Sequence, residues 1–338
     1  METIFGKARI YCRVAPNTTG GSGVIAAYDG ENGTGNILWS WHIWVTDYAP
    51  DAIGNATILN PVNKRVLKFT YNTSDDQPPM MDRNLGAIAG FTKSDPPQNQ
   101  LDMSKANGFH YQWGRKDPFP SSYSADQIDI INNLTSAVPP KGMLNRYGPD
   151  GITYIPLRQV ASRSTVRNAC QHPEIFYMKS NSDKQWCSDA SAIPTLWNSP
   201  NTTDGQKTFH DPCPAGWRVV SYRHLRSFFT TSPAADGTFG NNGNIANSST
   251  FGTDGGVYFY YTAQGSGEAT YIRLTGYWRY TTQFFYIGQK ANFWLREYAG
   301  DSNYSFYIDG TKSTLDVGLT NRLVPSGCPH YRCIQDRQ

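Results

Sequence analysis

The side chains of this chain best suited to bind metal, carry electrons or attack a substrate are six cysteines and six histidines. The cysteines are Cys12, Cys170, Cys187, Cys213, Cys328 and Cys333; the histidines are His42, His110, His172, His210, His224 and His330. No cysteine pair has the C-x2-C spacing of a zinc or thioredoxin-like motif, and the histidines never fall at metal-ligand spacing. An even, scattered set of cysteines is the pattern of disulfides in an oxidising compartment, with buried free thiols as the other reading. A Cys170–Cys187 bridge would close a loop of about 15 residues and contribute roughly 3 kcal/mol. His42 lies in an apolar, strand-like run and reads as a hydrogen-bonded core or interface histidine. Glu268, Glu297, Asp301 and Asp309 are the carboxylates from which a glycosidase-like pair would come, and solvated acidic groups at strand ends are the plainer reading. No G-x-S-x-G elbow, phosphate-cradling glycine loop or H-E-x-x-H helix is present.

The elements that must position these groups are mostly strands. Only 17% of the 338 residues are charged while 14% are aromatic, and 31 Gly and 21 Pro punctuate the chain, a composition of turn-rich β structure. The net charge of +3 comes without a Lys/Arg run, so neither a nucleic-acid groove nor a polybasic membrane patch is expected. No apolar stretch approaches the roughly 18 to 20 residues that span a bilayer. The opening METIFGKARIYCRV lacks the apolar segment of a signal peptide, so the expectation of an exported protein rests on the cysteines.

Alternation and turn residues predict a hairpin from Val24–Tyr28 and Ile37–Thr46, and the second strand, bulky on both faces, is expected in the middle of a sheet. Further strands are predicted over 64–72 and 108–122. A short helix is expected after the cap Ser124, with Gln127 completing a capping box, and another after Ser221 with Leu225, Phe228 and Phe229 turned inward. The stretch 138–212 reads as irregular. From 251 onward the pattern returns to strands rich in Tyr, Phe and Trp. Residues 1–75 are read as N-terminal strands packed onto a main domain, 76–338.

Five signatures occur in one order: ILWSWHIWVTD at 37–47, MDRNLGA at 81–87, HYQWGRKDPFP at 110–120, DPCPAGWRV at 211–219 and RCI at 332–334. Together they resemble the Fibrobacter succinogenes major paralogous domain, as found at the C-terminus of Bacteroides fimbrial (type V pilus) surface proteins. The resemblance runs from about residue 23 and is weakest over 138–208 and 230–250. It implies an α+β fold, C-type-lectin-like and similar to the formylglycine-generating enzymes, β-rich with few short helices and long irregular loops. It also implies a disulfide between Cys213 and Cys333. Cys328 is extra to the family pattern, and Cys12 is its candidate partner by elimination. The calcium motifs of sugar-binding C-type lectins are absent, the redox cysteines of the formylglycine-generating enzymes cannot be mapped here, and no cofactor or metal is expected.

The function implied is that of a non-catalytic adhesin domain, extracellular, at the cell surface or on a fimbrium. Its partners would be a host or microbial surface glycan or protein, and pilus subunits. A phage receptor-binding protein of the same fold and a cryptic hydrolase or oxidase are the alternatives. Similar folds serve as variable proteins of diversity-generating retroelements, whose binding residues lie on a C-terminal sheet. That likeness points to Phe285, Tyr286, Asn292, Trp294, Arg296, Tyr298, Asp301, Asn303, Tyr304, His330 and Tyr331 as ligand-binding. Aromatics supply rigid area there and small polar side chains supply adaptable hydrogen bonds.

Overall fold

The computed structural model describes residues 10–13, 20–50, 61–73, 76–121, 146–147, 153–155, 158–178, 185–202, 205–231, 243–245, 255–278, 284–286, 288–298, 303–310, 316–323 and 330–337. The helix expected after Ser124 lies outside them. The structure is β-rich with few short helices. Strands β1 (Gly21–Tyr28) and β2 (Ile37–Val45) form a hairpin around a Gly/Asn turn in which Asn32 takes φ 56°. A four-stranded sheet runs in the order β11 (Trp217–Val219), β19 (Cys333–Gln335), β4 (Met80–Met81), β3 (Val66–Leu67). Short pairs are made by β5 (Arg146–Tyr147) with β6 (Tyr154–Ile155), β7 (Arg158–Val160) with β8 (Ile175–Tyr177), and β9 (Asn198–Ser199) with β10 (Gln206–Lys207). Aromatic-rich β12 (Gly256–Tyr260) pairs with β13 (Ala269–Arg273), and β14 (Tyr277–Trp278) with β15 (Phe284–Phe285). The last sheet is β16 (Lys290–Trp294), β17 (Asn303–Asp309) and β18 (Asp316–Leu323), all antiparallel. Helices α1 (Gln100–Lys105) and α2 (Val166–Gln171) start at the side-chain caps Asn99 and Thr165.

Two sequence expectations are corrected here. Strand β2 belongs to a two-stranded sheet, because its alternating faces are served differently. Ser40 and His42 turn to the body, where the buried Ser40 hydroxyl bonds Asp117 Oδ1 at 2.5 Å and Tyr111 Oη lies 3.3 Å from His42 Nδ1. Lys116 completes that anchor through Ser40 O at 3.0 Å and Asp117 Oδ1 at 2.7 Å.

Of the segment 108–122, the described residues 108–121 make no strand either, only a bridge between His110 and Phe119. Its carbonyls are satisfied by indoles in place of a ladder. Trp294 Nε1 donates to Tyr111 O at 2.8 Å, Trp186 Nε1 to Trp113 O at 2.7 Å and Trp197 Nε1 to Arg115 O at 3.2 Å. Burying four tryptophans this way leaves no polar atom of theirs unpaired, since Trp113 Nε1 in turn reaches Leu295 O at 3.0 Å.

Strand β3 and residues 70–71, whose amides donate to Tyr261 O, are woven into the larger body. One core, with Phe228, Phe259, Phe293 and Phe306, underlies the last sheet; a second is the tryptophan cluster; a third surrounds Tyr258 and Tyr271. The 3-10 helix Tyr222–Phe228 seals the first core with Leu225 and Phe228, capped by Ser221, and Phe229 stays buried just past its end.

The five signatures fasten these parts together. Asp82, wholly buried, accepts from Arg65 Nε at 2.8 Å and Arg83 Nε at 2.7 Å. Arg332 joins Asn84 Oδ1 at 3.1 Å, Thr270 Oγ1 at 2.9 Å and Tyr271 O at 2.7 Å. Asp211 shapes the proline-flanked turn, accepting from Cys213 N and Val219 N, both at 2.9 Å, and from Lys207 Nζ at 2.6 Å. Gly216, at φ 79°, then turns the chain into β11, an angle that suits glycine.

Candidate ligand-binding face

Cys213 and Cys333 are disulfide-bonded across 120 residues, β11 lying beside β19 so that Val219 faces Cys333. Cys170 and Cys187 are free thiols, a correction to the expected bridge. Cys187 bridges Ser164 ahead of α2 while Cys170 sits in its last turn. Burial raises both thiol pKa values, that of Cys187 to about 11. Cys12 is exposed and free, and Cys328 lies outside the described residues.

Most of the residues expected on a binding surface are interior. Trp294, Arg296, Asn292, Asn303, His330 and Tyr331 are all buried. Trp294 supports Tyr111, and the Tyr331 ring packs 4.3 Å from that of Tyr111. The His330 ring packs tilted against His110, centroids 3.8 Å apart and planes 44° apart, and burial holds its pKa far below the usual imidazole range. Burial lowers the Arg296 pKa to about 10. Arg296 is next to Glu297, whose pKa burial raises and whose Oε1 accepts from Ser221 Oγ. These six side chains therefore form no exposed patch.

The half-buried Tyr304 leans on the core beside Tyr222, and the half-buried Tyr298 is tied to Asn201 and Gln185 and packs on Trp113. The side chain of Phe285 and all of Asp301 lie outside the described residues. Of the other carboxylates, Glu268 accepts from Ser94 Oγ at 2.6 Å.

One cluster remains at the surface. Strand register puts Lys290, Asn292 and Trp294 opposite Asp309, Tyr307 and Ser305, on the sheet face away from the phenylalanine core, and Gly318 of β18 lies opposite Tyr307. The Trp294 end of this face is closed by Tyr111; at the Lys290 end, Lys290, Tyr307 and Asp309 are all half-buried and keep partial solvent exposure. Lys290 Nζ meets Asp309 Oδ2 at 2.6 Å and sits 4.2 Å from the centroid of the Tyr286 ring. Tyr286 in turn stacks on Tyr277, centroids 6.0 Å apart and planes 29° off parallel.

The Tyr286 backbone has φ 61°, uncommon for a residue with a Cβ, and is held there by amides of Gln289 and Lys290 donating to its carbonyl, both at 2.9 Å. The structure thus brings Tyr286, with the buried Asn292 beneath the face, together with Tyr277, Lys290, Tyr307 and Asp309; the sequence reading selected none of these last four for ligand binding, and named Asp309 only among the candidate carboxylates. Their signal was present in strand alternation: Lys290, Asn292, Tyr307 and Asp309 share one parity once β16 and β17 are put in register.

Chemically the face offers three tyrosine rings and an ion pair, with the buried Asn292 amide beneath them, a mixture of rigid aromatic area and directional polar groups like that of recognition surfaces. Among the described residues no three His, Cys, Asp or Glu side chains converge as metal ligands, and no helix is long and apolar enough to cross a membrane. Comparison with protein-family models, curated proteins and solved structures returns no match.

Proposed function

We propose that this chain is a non-catalytic ligand-binding domain of the C-type-lectin-like class, an adhesin displayed at the bacterial surface or on a fimbrium. Its ligand is a surface glycan or protein, held on the face of Tyr277, Tyr286, Lys290, Tyr307 and Asp309. The observation that carries the reading is the Tyr277–Tyr286 stack beside the Lys290–Asp309 pair at the partly exposed end of the C-terminal sheet. Tyr286, with its left-handed backbone, holds a half-buried ring against Tyr277 and Lys290. The disulfide is in keeping with an oxidising, extracellular setting. Labelled protein screened against glycan arrays and intact cell surfaces tests the reading. Specific binding that Tyr286→Ala abolishes supports it, and binding that this substitution leaves untouched moves the site elsewhere.

A further inference from the structure

Strand β1 hydrogen-bonds to β2 along one edge only. Its residues are exposed over most of their length, and no backbone group of another described element bonds to its outer edge. Such an edge is a template for a further strand, and folded proteins blunt it with lysine, proline, a bulge or a covering element. Here Gly21–Tyr28 and Ile37–Val45 contain no Asp, Glu, Lys, Arg or Pro, and the register shifts only at the last step, between Ala27 and Tyr28. The edge is also apolar. Val24, Ile25 and Tyr28 are 44%, 41% and 40% exposed, and Leu38 on the neighbouring strand is 43% exposed. Ile25 lies opposite Trp41 and Gly23 opposite Ile43, on the face away from Ser40 and His42, and Ile25, Trp41 and Ile43 belong to none of the three cores.

We propose that this edge is a self-association surface, on which β1 of one copy pairs antiparallel with β1 of a second copy about a two-fold axis. The choice of occupant follows from charge. A two-fold interface sets each patch against itself, so a patch of one sign repels its own image, whereas the seventeen residues of β1 and β2, which carry no charged side chain, are their own complement; the acidic Asp29 and Glu31 lie in the turn beyond them. An antiparallel edge is likewise its own hydrogen-bonding complement, since rotation about the two-fold brings its outward N–H groups to its outward carbonyls. Side chains of Val24 and Ile25 from both copies meet at the seam, and Gly21 and Gly23, whose Cβ positions are open space, leave room for them. The two hairpins become one four-stranded sheet. Each pair of molecules then carries two C-terminal faces, which lets weak sites act together on a repetitive surface.

Sedimentation equilibrium of the whole chain, from low to high micromolar concentration, tests this. Gly23→Lys fits the free space beside β1 and places a charge at the seam, and Ile25→Lys does the same one pair along. Ile88→Lys puts a charge on an exposed apolar residue far from the hairpin in sequence, 69% accessible. The expected result is a reversible monomer–dimer equilibrium whose dissociation constant rises at least about tenfold in each hairpin variant and stays unchanged in Ile88→Lys. A wild-type chain that is monomeric throughout would overturn the proposal. So would a dimer indifferent to both hairpin substitutions, or association that Ile88→Lys weakens equally.

Discussion

The indole of Trp294 donates to the carbonyl of Tyr111 at 2.8 Å, joining residues 183 apart in the chain. That bond explains why Trp294, which by composition looks like a binding residue, is a structural hub. It closes one end of the C-terminal sheet face, and the lysine end stays partly exposed. Trp294→Ala should cost about 3 to 5 kcal/mol in chemical denaturation through cavity formation and the orphaned carbonyl. Ligand binding by the fraction that stays folded should be unchanged.

How much of this was legible in the sequence depends on how local each signal is. The hairpin was readable because alternation and its Gly/Asn turn lie within 25 residues, and β16 and β17 were readable for the same reason. The 110–119 segment was not, because Trp186, Trp197 and Trp294, all remote in sequence, supply what a neighbouring strand usually would. Alternation also told that half of the C-terminal aromatics point inward, but not which end of the remaining face Tyr111 covers. Strand β18 went unread, its polar residues and Gly318 giving weak strand propensity.

The Cys213–Cys333 bond closes 120 residues of chain, and its removal in a Cys213→Ala, Cys333→Ala double variant should cost on the order of 5 kcal/mol. Peptide mapping of the native protein under non-reducing conditions should recover these two cysteines linked and Cys170 and Cys187 alkylated only after unfolding.

Four enclosed histidines make the fold acid-sensitive: His224 and His330 are buried, His42 and His210 half-buried. Burial lowers the pKa of His42 and of His210 from the ordinary 6.5 to about 4, and those of His224 and His330 further. A lowered folded-state value means the unfolded chain binds the proton more readily. The stability contribution is therefore intact above pH 6.5 and is lost as pH falls through 6.5 toward 4. His42 and His210 should each account for up to about 3 kcal/mol of that loss. Denaturation midpoints measured across this range should fall steeply, and His42→Gln should flatten the curve.

Glu297 acts with the opposite sign. Burial raises its pKa, so its contribution is full below the ordinary carboxyl range and declines as pH rises through the raised value. Glu297→Gln keeps an acceptor for Ser221 without the buried charge. Its thermal midpoint at neutral pH should equal or exceed that of the wild type, and the gain should vanish in acid.

The most direct test of the ligand-binding face sets affinity against stability for Tyr286→Ala and Tyr307→Ala, measured by calorimetry with whichever surface ligand the arrays return. The face proposed here predicts a loss of at least about 2 kcal/mol, roughly thirtyfold in Kd, for one or both, with a thermal midpoint within a few degrees of wild type. Unchanged affinity in both variants, or affinity lost only in step with unfolding, would contradict it.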